Sequence, residues 1–394
     1  MTVVQFSFPT TIRFGPGASR EVASHLAAQG LHRPLVVTDA GLAKLPLLTD
    51  FAKALSGAAV FSDIAGNPGE GHVASGVDAY RAHRADCIVG IGGGAALDVA
   101  KAIALMVHHP GAILDYEDAS SAPQSAASPP SPAGDGWRKP DARPVDKEIP
   151  YWVALPTTSG TGSEVGRSTV ISDAHHVKRI IFHPRLLARA VFADPALTLD
   201  LPPKITAATG MDAITHCVES YLAKDHHPIC DGIALEGLRL ASRALPRAVA
   251  HGSDMDARRD MMMASMMGAI AFQKGLGVAH SCAHALSAVA DLHHGLACAM
   301  MIDHAIAMNV PAREERFREM ARVVGAKEQT AASFLRWLAD LKAEIGIPAR
   351  LTQAGVTPEH LIRLPDAAFA DSCHQNNPVP VTTQDLQRIF HEAA

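Results

Sequence analysis

The stretch CIVGIGGGAALDVAK, residues 87–101, limits the folds open to this chain more than any other. An apolar run of strand length passes straight into three consecutive glycines, then into a helical pattern with Asp98 and Lys101 in its first turns. Glycines let a backbone approach a ligand closely, and a helix N-terminus presents unpaired N–H groups with partial positive charge. A pyrophosphate fits such a place. The spacing is not GxGxxG, however, and a tight strand–helix turn accounts for a bare triple glycine about as well.

A second loop adds weight. LPTTSGTGSE, residues 155–164, follows another apolar run and offers hydroxyls at Thr157, Thr158, Thr161 and Ser163 with glycines at 160 and 162. Two Gly/Thr-rich loops at strand ends are what a dinucleotide at the edge of a parallel sheet requires. Leu35–Asp39, Ala59–Phe61, Cys87–Ile91, Trp152–Leu155 and Val170–Ser172 read as strands, with helical patterns such as Arg20–Gln29 and His72–His83 among them. That alternation predicts βαβ units and parallel pairing, a Rossmann-like α/β nucleotide-binding domain. Asp39, ending an early strand, reads either as a helix N-cap or as an acceptor for an adenosine ribose. In the second role it would repel a 2′-phosphate and favour NAD over NADP.

After Asp194-Pro195 the pattern becomes helical, rich in Ala, Leu and Met, with no strand run. The predicted domains are therefore residues 1–193, α/β, and 194–394, all-α. MMMASMMGAIAF, residues 261–272, reads as a buried helix, since Met fills irregular cores. Residues 119–145, with SSAPQSAASPPSPAGDG at their heart, cannot bury enough apolar surface to offset their ordering entropy and read as a long loop insertion in the α/β half.

Composition removes other function classes. With 394 residues, 48% hydrophobic and 19% charged, and a formal net charge of −5, the chain has a globular balance without the basic footprint of a nucleic-acid or membrane-surface binder. The N-terminal residues show neither a basic n-region nor a continuous apolar h-region, and no apolar run reaches membrane-spanning length. Six scattered cysteines in apolar segments read as reduced thiols of a cytoplasmic protein.

The histidines carry the chemistry. In GMDAITHCVESY, residues 210–221, Asp212 and His216 stand at i and i+4 and project from one helical face. In GLGVAHSCAHALSAVADLHHG, residues 275–295, His280 and His284 repeat that spacing, and a His-His-Gly follows. On an unbroken helix His280 and His294 would lie about 21 Å apart, so shared binding of one ion requires the chain to turn back near Asp291–Gly295. One Asp and three His suit Fe²⁺ or Zn²⁺. Spacing alone leaves His284 and His293 competing with their neighbours for the ligand positions.

Together these motifs resemble the iron-containing (group III) alcohol dehydrogenase family. The likeness runs through GNP at 66–68, IGGGAALDVAKAIA at 91–104, LPTTSGTGSEV at 155–165, DP at 194–195, the two histidine segments and NNP at 376–378. It implies a dehydroquinate synthase-like fold with an all-α metal-binding domain. It implies that Asp212, His216, His280 and His294 bind the metal and that His284 lies beside nicotinamide and substrate. It assigns Gly93, Gly94, Ala95 and Asp98 to the pyrophosphate region, Thr157 and Thr158 to the phosphates and nicotinamide side, and Asp39, Asn67 and Lys178 to further cofactor contacts. Ala95 stands where the family usually has Ser, and Gly166 where many members have Thr.

The activity so implied is reversible hydride transfer between a small primary alcohol or hydroxy acid and NAD, with the aldehyde as product and His284 relaying a proton. A homodimer or larger assembly is expected. Two rivals remain open: a metal-dependent hydrolase, which has no use for two dinucleotide loops, and a metal-free reductase of maleylacetate type, which has no use for the ligand set.

Overall fold

The computed structural model describes residues 10–64, 66–117, 142–174 and 177–394. Most of the 119–145 insertion lies outside the described residues. The described chain forms two compact units. One comprises residues up to Thr158 with Ser163–Thr198, the other Ser159–Gly162 with Leu199–Ala394.

The first unit is built on eight strands: β1 Thr11–Phe14, β2 Pro34–Val37, β3 Ala59–Phe61, β4 Cys87–Gly92, β5 Tyr151–Pro156, β6 Ser168–Ser172, β7 Lys178–Phe182 and β8 Ala190–Ala193. Six of them make one parallel sheet in the order β1-β8-β5-β4-β2-β3. The central strands β2, β4 and β8 are buried along their whole length, as strands covered on both faces must be. From β2 the chain winds outward to β3, then returns to the other side of β2 for β4 and β5. The winding therefore reverses between β2 and β4, and a crevice opens at the carboxyl ends of strands where such a reversal occurs.

Sequence alternation did not anticipate everything. β1 and β8 are four residues each, too short to stand out from their surroundings. The 170–172 run does not join the parallel sheet: β6 pairs antiparallel with β7 in a separate two-stranded sheet. Helix Gly94–Met106 is tied to that small sheet by buried polar groups. Asp98 accepts from the Ser163 hydroxyl (2.7 Å) and the Val170 N–H (3.3 Å), and its own carbonyl accepts from the Thr169 hydroxyl. Lys101, 1% exposed, donates to Ser163 Oγ and the Ser168 carbonyl, each at 2.7 Å.

The second unit is helical throughout its described residues from Pro203 onward. Helices Pro203–Leu222, Pro228–Ala250, Met255–Ala271, Val278–Ala290 and His294–Ala307 form its heart, followed by Val310–Val323, Ala331–Glu344, Pro358–Ala370 and Thr383–Ala393. Their facing surfaces are lined by Ala, Leu, Met and Cys, and Met261, Met262 and Met266 are buried core residues. The glycines of the 159–162 loop serve this packing. A Cβ on Gly160 would come 2.9 Å from the Thr209 carbonyl oxygen, and one on Gly162 (φ +59°) would come 2.2 Å from Ala269 Cβ. No single helix among the described residues is long and apolar enough to cross a membrane.

The buried cluster at Lys101 makes a testable demand. Burial raises the Glu164 carboxyl from 4.5 to about 7 even with the Lys101 ammonium nearby. Between those values the folded chain holds a proton that the unfolded chain has released, so this group's contribution to stability falls as pH rises from about 4.5 to about 7. Urea unfolding across that window should show a less negative slope of stability against pH for Glu164→Gln than for the wild type. Identical slopes would contradict the buried assignment.

Candidate functional site

In the helical unit three imidazoles converge on one carboxylate oxygen. Asp212 Oδ1 lies 3.7 Å from His216 Nε2, 3.7 Å from His280 Nε2 and 3.5 Å from His294 Nε2. These separations are too long for hydrogen bonds. They do match the edges of a coordination polyhedron whose bonds are about 2.0–2.2 Å long.

Local structure explains the convergence. Helix Pro203–Leu222 starts on a proline, and its i,i+4 spacing sets Asp212 and His216 on one buried face. Helix Val278–Ala290 carries His280 near its start and is ended by Asp291 in the left-handed region (φ 52°). Helix His294–Ala307 then begins at His294 itself. The turn that the sequence requires between His280 and His294 thus falls at residues 291–293. Gly295 lets this new helix close on the first: a Cβ there would come 2.4 Å from the Ala208 carbonyl oxygen. Gly268 does the same behind His216, where a Cβ would meet the histidine Cβ at 2.9 Å.

The imidazoles are packed tightly. His216 and His280 stack at 4.7 Å between ring centroids, and the Phe272 ring lies 5.1 Å from His216. His293, the residue before the new helix, is exposed, so of the neighbouring pair it is His294 that reaches Asp212.

A carboxylate not singled out in the sequence completes the cluster. Glu219 Oε2 accepts from His280 Nδ1 at 2.6 Å, and Glu219 Oε1 accepts from the Ala279 N–H at 2.6 Å. It lies three residues after His216 and seven after Asp212, on the same helical face, and that periodicity was the available signal. Fixing Nδ1 as the donor turns the lone pair of His280 Nε2 toward Asp212, the arrangement by which a carboxylate orients a metal-binding imidazole.

The electrostatics favour a cation. Burial pushes the Asp212 carboxyl up, but the His216 and His294 imidazoles outweigh it and hold the group well below the usual carboxylate range. Burial lowers His216 to about 4, which leaves it a neutral donor. Asp212 Oδ1 and His280 Nε2 are both buried and have no hydrogen-bond partner. Buried polar atoms left in this way are costly unless an ion satisfies them. One anionic and three imidazole donors around two such atoms fit a divalent metal.

His284 belongs to an adjacent group. Its Nδ1 donates to Asp371 Oδ2 at 2.8 Å, and Asp371 Oδ1 accepts from the Ser281 hydroxyl at 2.7 Å and the Cys373 N–H at 2.8 Å. Burial raises Asp371, but His284 and these donors outweigh it and keep it ionised. The His284 ring stacks on His294 at 5.2 Å, so it adjoins the Asp212 cluster without reaching into it.

In the α/β unit, the residues read from the sequence as cofactor contacts gather at strand ends. β4 and β5 run in register to Gly92 opposite Pro156, and the Thr157 N–H donates to the Gly92 carbonyl at 3.0 Å. Gly92 has φ +151°, and a Cβ there would come 2.6 Å from Ala96 Cβ and 3.5 Å from Asp39 Oδ2. Gly93 stands against the Thr158 side chain at 3.4 Å by the same measure. Gly94 and Ala95 open the following helix, which starts at the end of β4, the strand next to β2 where the winding reverses.

Asp39 caps the turn that follows it, as the first of its two sequence readings expects. Its Oδ1 accepts from the Gly41 and Leu42 N–H groups at 2.9 Å each, while Oδ2 faces the glycine turn. Pro68 and Gly69, just after Asn67, bridge to Ser172, which pairs with Lys178 across β6 and β7, so Asn67 and Lys178 are drawn toward one strand end. Asp98 is different. Ser163, Val170 and Lys101 engage its carboxylate, which ties the helix to the small sheet.

Comparison with known proteins agrees across the whole chain. The pattern that defines the iron-containing alcohol dehydrogenases matches residues 9–195, and that of the C-terminal part of the Fe-containing alcohol dehydrogenase family matches residues 206–394. A 4-hydroxybutyrate dehydrogenase of Cupriavidus necator is 35% identical over 98% of each chain. An NAD-dependent methanol dehydrogenase of Bacillus methanolicus is 34% identical over 99% of this chain and 100% of its own. The crystal structure of a 1,3-propanediol oxidoreductase superposes with a TM-score of 0.88 at 31% identity, covering 99% of this chain and 100% of the other.

Glu219 supplies the prediction here. Glu219→Gln should keep the fold but weaken metal binding about 10–100-fold by calorimetric titration with Zn²⁺. Unchanged affinity would mean that His280 needs no orienting carboxylate.

Proposed function

The chain belongs to the iron-containing alcohol dehydrogenase family, an oxidoreductase class acting on CH–OH groups, and from that premise we propose that it is an NAD-linked dehydrogenase of small primary alcohols or hydroxy acids that depends on a divalent metal, Fe²⁺ or Zn²⁺. The observation that carries the metal dependence is the convergence of three imidazole nitrogens on the unpartnered Asp212 Oδ1. When bound, such an ion supplies Lewis acidity to an alcohol oxygen, and a nicotinamide supplies the hydride acceptor.

Each residue then has a task. Asp212, His216, His280 and His294 hold the ion, and Glu219 keeps the Nε2 atom of His280 turned toward it. Gly93, Gly94 and Ala95 offer backbone N–H groups to a pyrophosphate at a helix N-terminus. Thr157 and Thr158 add hydroxyls beside them, and Asn67 and Lys178 further polar contacts. Asp39 Oδ2, facing the glycine turn, suits a ribose diol and disfavours a 2′-phosphate. The Bacillus methanolicus relative, NAD-dependent by name, supports the same preference.

His284 is suited to move the alcohol proton. Its Nδ1–H is held by Asp371, so Nε2 is the basic atom, and the ionised Asp371 stabilises the imidazolium that forms when Nε2 takes a proton. Asp371 acts through His284 and is a positioning residue.

The test is NAD⁺ reduction on a panel of methanol, 1,3-propanediol and 4-hydroxybutyrate, before and after chelation. The reading requires reduction with at least one of them, loss on chelation and recovery with added Fe²⁺ or Zn²⁺. Turnover indifferent to chelation would favour a metal-free reductase, and absence of any NAD⁺ reduction with metal bound would favour a hydrolase.

A further inference from the structure

The NNP motif at 376–378 has no task in the dehydrogenase reading. Asn377 is buried and pairs with the equally buried Asn309, 68 residues earlier in the chain. Each side-chain amide donates to the other's oxygen, Asn309 Nδ2 to Asn377 Oδ1 at 2.8 Å and Asn377 Nδ2 to Asn309 Oδ1 at 2.7 Å. Asn377 Nδ2 also donates to the Val379 carbonyl at 2.8 Å. A buried polar pair satisfied in this way fixes its surroundings more narrowly than apolar contact would.

The pair joins three segments of the helical unit. Asn309 lies just beyond helix His294–Ala307, where its N–H donates to the Ile306 carbonyl and the chain bends by 120° into Val310–Val323. Asn377 closes residues 371–377, which carry Asp371 and whose His374 N–H donates to the Ser281 hydroxyl at 2.9 Å. The third segment is the turn before helix Val278–Ala290. A Cβ on Gly277 would come 2.7 Å from Glu219 Oε1 and 3.3 Å from Asn377 Oδ1, so both oxygens occupy the space a side chain there would need. Gly275 (φ +121°) makes the same room for Asn376, whose Cβ would lie 2.7 Å from a Cβ at that glycine. Both asparagines of the motif thus seat on this turn, beside the carboxylate that receives the Ala279 N–H and His280 Nδ1.

Resting on the metal-centre reading above, we infer that the Asn309–Asn377 pair is a positioning device for that centre. It holds the 275–277 turn against Glu219, and through Glu219 it sets the direction of His280 Nε2. Loss of the pair frees the turn and widens the range of the His280 ring without removing any ligand. An ion that needs its donors at about 2.0–2.2 Å is then held less tightly. Linkage is reciprocal, so an ion at the centre must in turn stabilise the pair.

The experiment follows Zn²⁺ binding and amide hydrogen exchange in the full-length protein. In the wild type, which needs no variant to fold, loading zinc should slow exchange across residues 372–379 as well as 278–281. By calorimetric titration Asn377→Ala should bind Zn²⁺ about 3–10-fold more weakly, a share of the 10–100-fold that such supporting residues carry. On a Glu219→Gln background the same change should add nothing, because the pair acts through that carboxylate. Phe334→Leu, a core change in helix Ala331–Glu344, should lower urea stability and leave zinc affinity intact. Zinc binding with no slowing at 372–379, an equal loss of affinity in Phe334→Leu, or losses that add across Asn377→Ala and Glu219→Gln would overturn the proposal and leave the metal centre standing. Absence of zinc uptake by the wild type would overturn the reading of the centre itself and the proposal with it.

Discussion

Three imidazole nitrogens aimed at one buried carboxylate oxygen set the terms for the whole helical unit. Asp212 Oδ1 has no hydrogen-bond partner of its own, and the histidines stand just beyond hydrogen-bond reach of it. Holding polar groups in that state costs folding energy, so the surrounding architecture must be rigid. Glycines at 268 and 295 let three helices approach within backbone contact distance. The left-handed Asp291 reverses the chain so that His294 returns to His280. Glu219 and Asp371 then lock two imidazoles by their Nδ1 atoms. The same device, a carboxylate on Nδ1, gives different chemistry according to what Nε2 faces.

The α/β unit works by a different economy of means. Its cofactor candidates do not depend on rare side chains but on where the sheet reverses its winding. β2, β4 and β5 end side by side, and at those ends stand Asp39, the glycine turn and Thr157–Thr158. Gly92 must be small there, because its φ of +151° is rarely adopted by other residues and a Cβ would come 2.6 Å from Ala96 Cβ. The buried trio of Asp98, Lys101 and Glu164 stiffens the helix that starts at this turn.

Much of this was legible in the chain. Apolar runs before Gly-rich turns marked β4 and β5, and the i,i+4 pairs marked the histidine helices, because both signals are local and periodic. Other parts were hidden for physical reasons. β1 and β8 are too short to show a period, and the antiparallel pairing of β6 with β7 depends on tertiary contacts. The glycines at 160 and 162 stand in a loop read as dinucleotide-binding, and what they pack against, Thr209, Ser265 and Ala269, lies far along the sequence. Glu219 shared the face of Asp212 and His216 and was legible in principle. Asp371 was not, since 87 residues separate it from the His284 it holds.

The central claim is that this cluster is built around an ion, and the most direct measurement is anomalous diffraction from crystals of metal-loaded protein, collected on both sides of the metal's absorption edge. The account requires one strong peak among Asp212 Oδ1 and the Nε2 atoms of His216, His280 and His294. Fully loaded crystals with no peak there, or with their anomalous scatterer elsewhere, would contradict it.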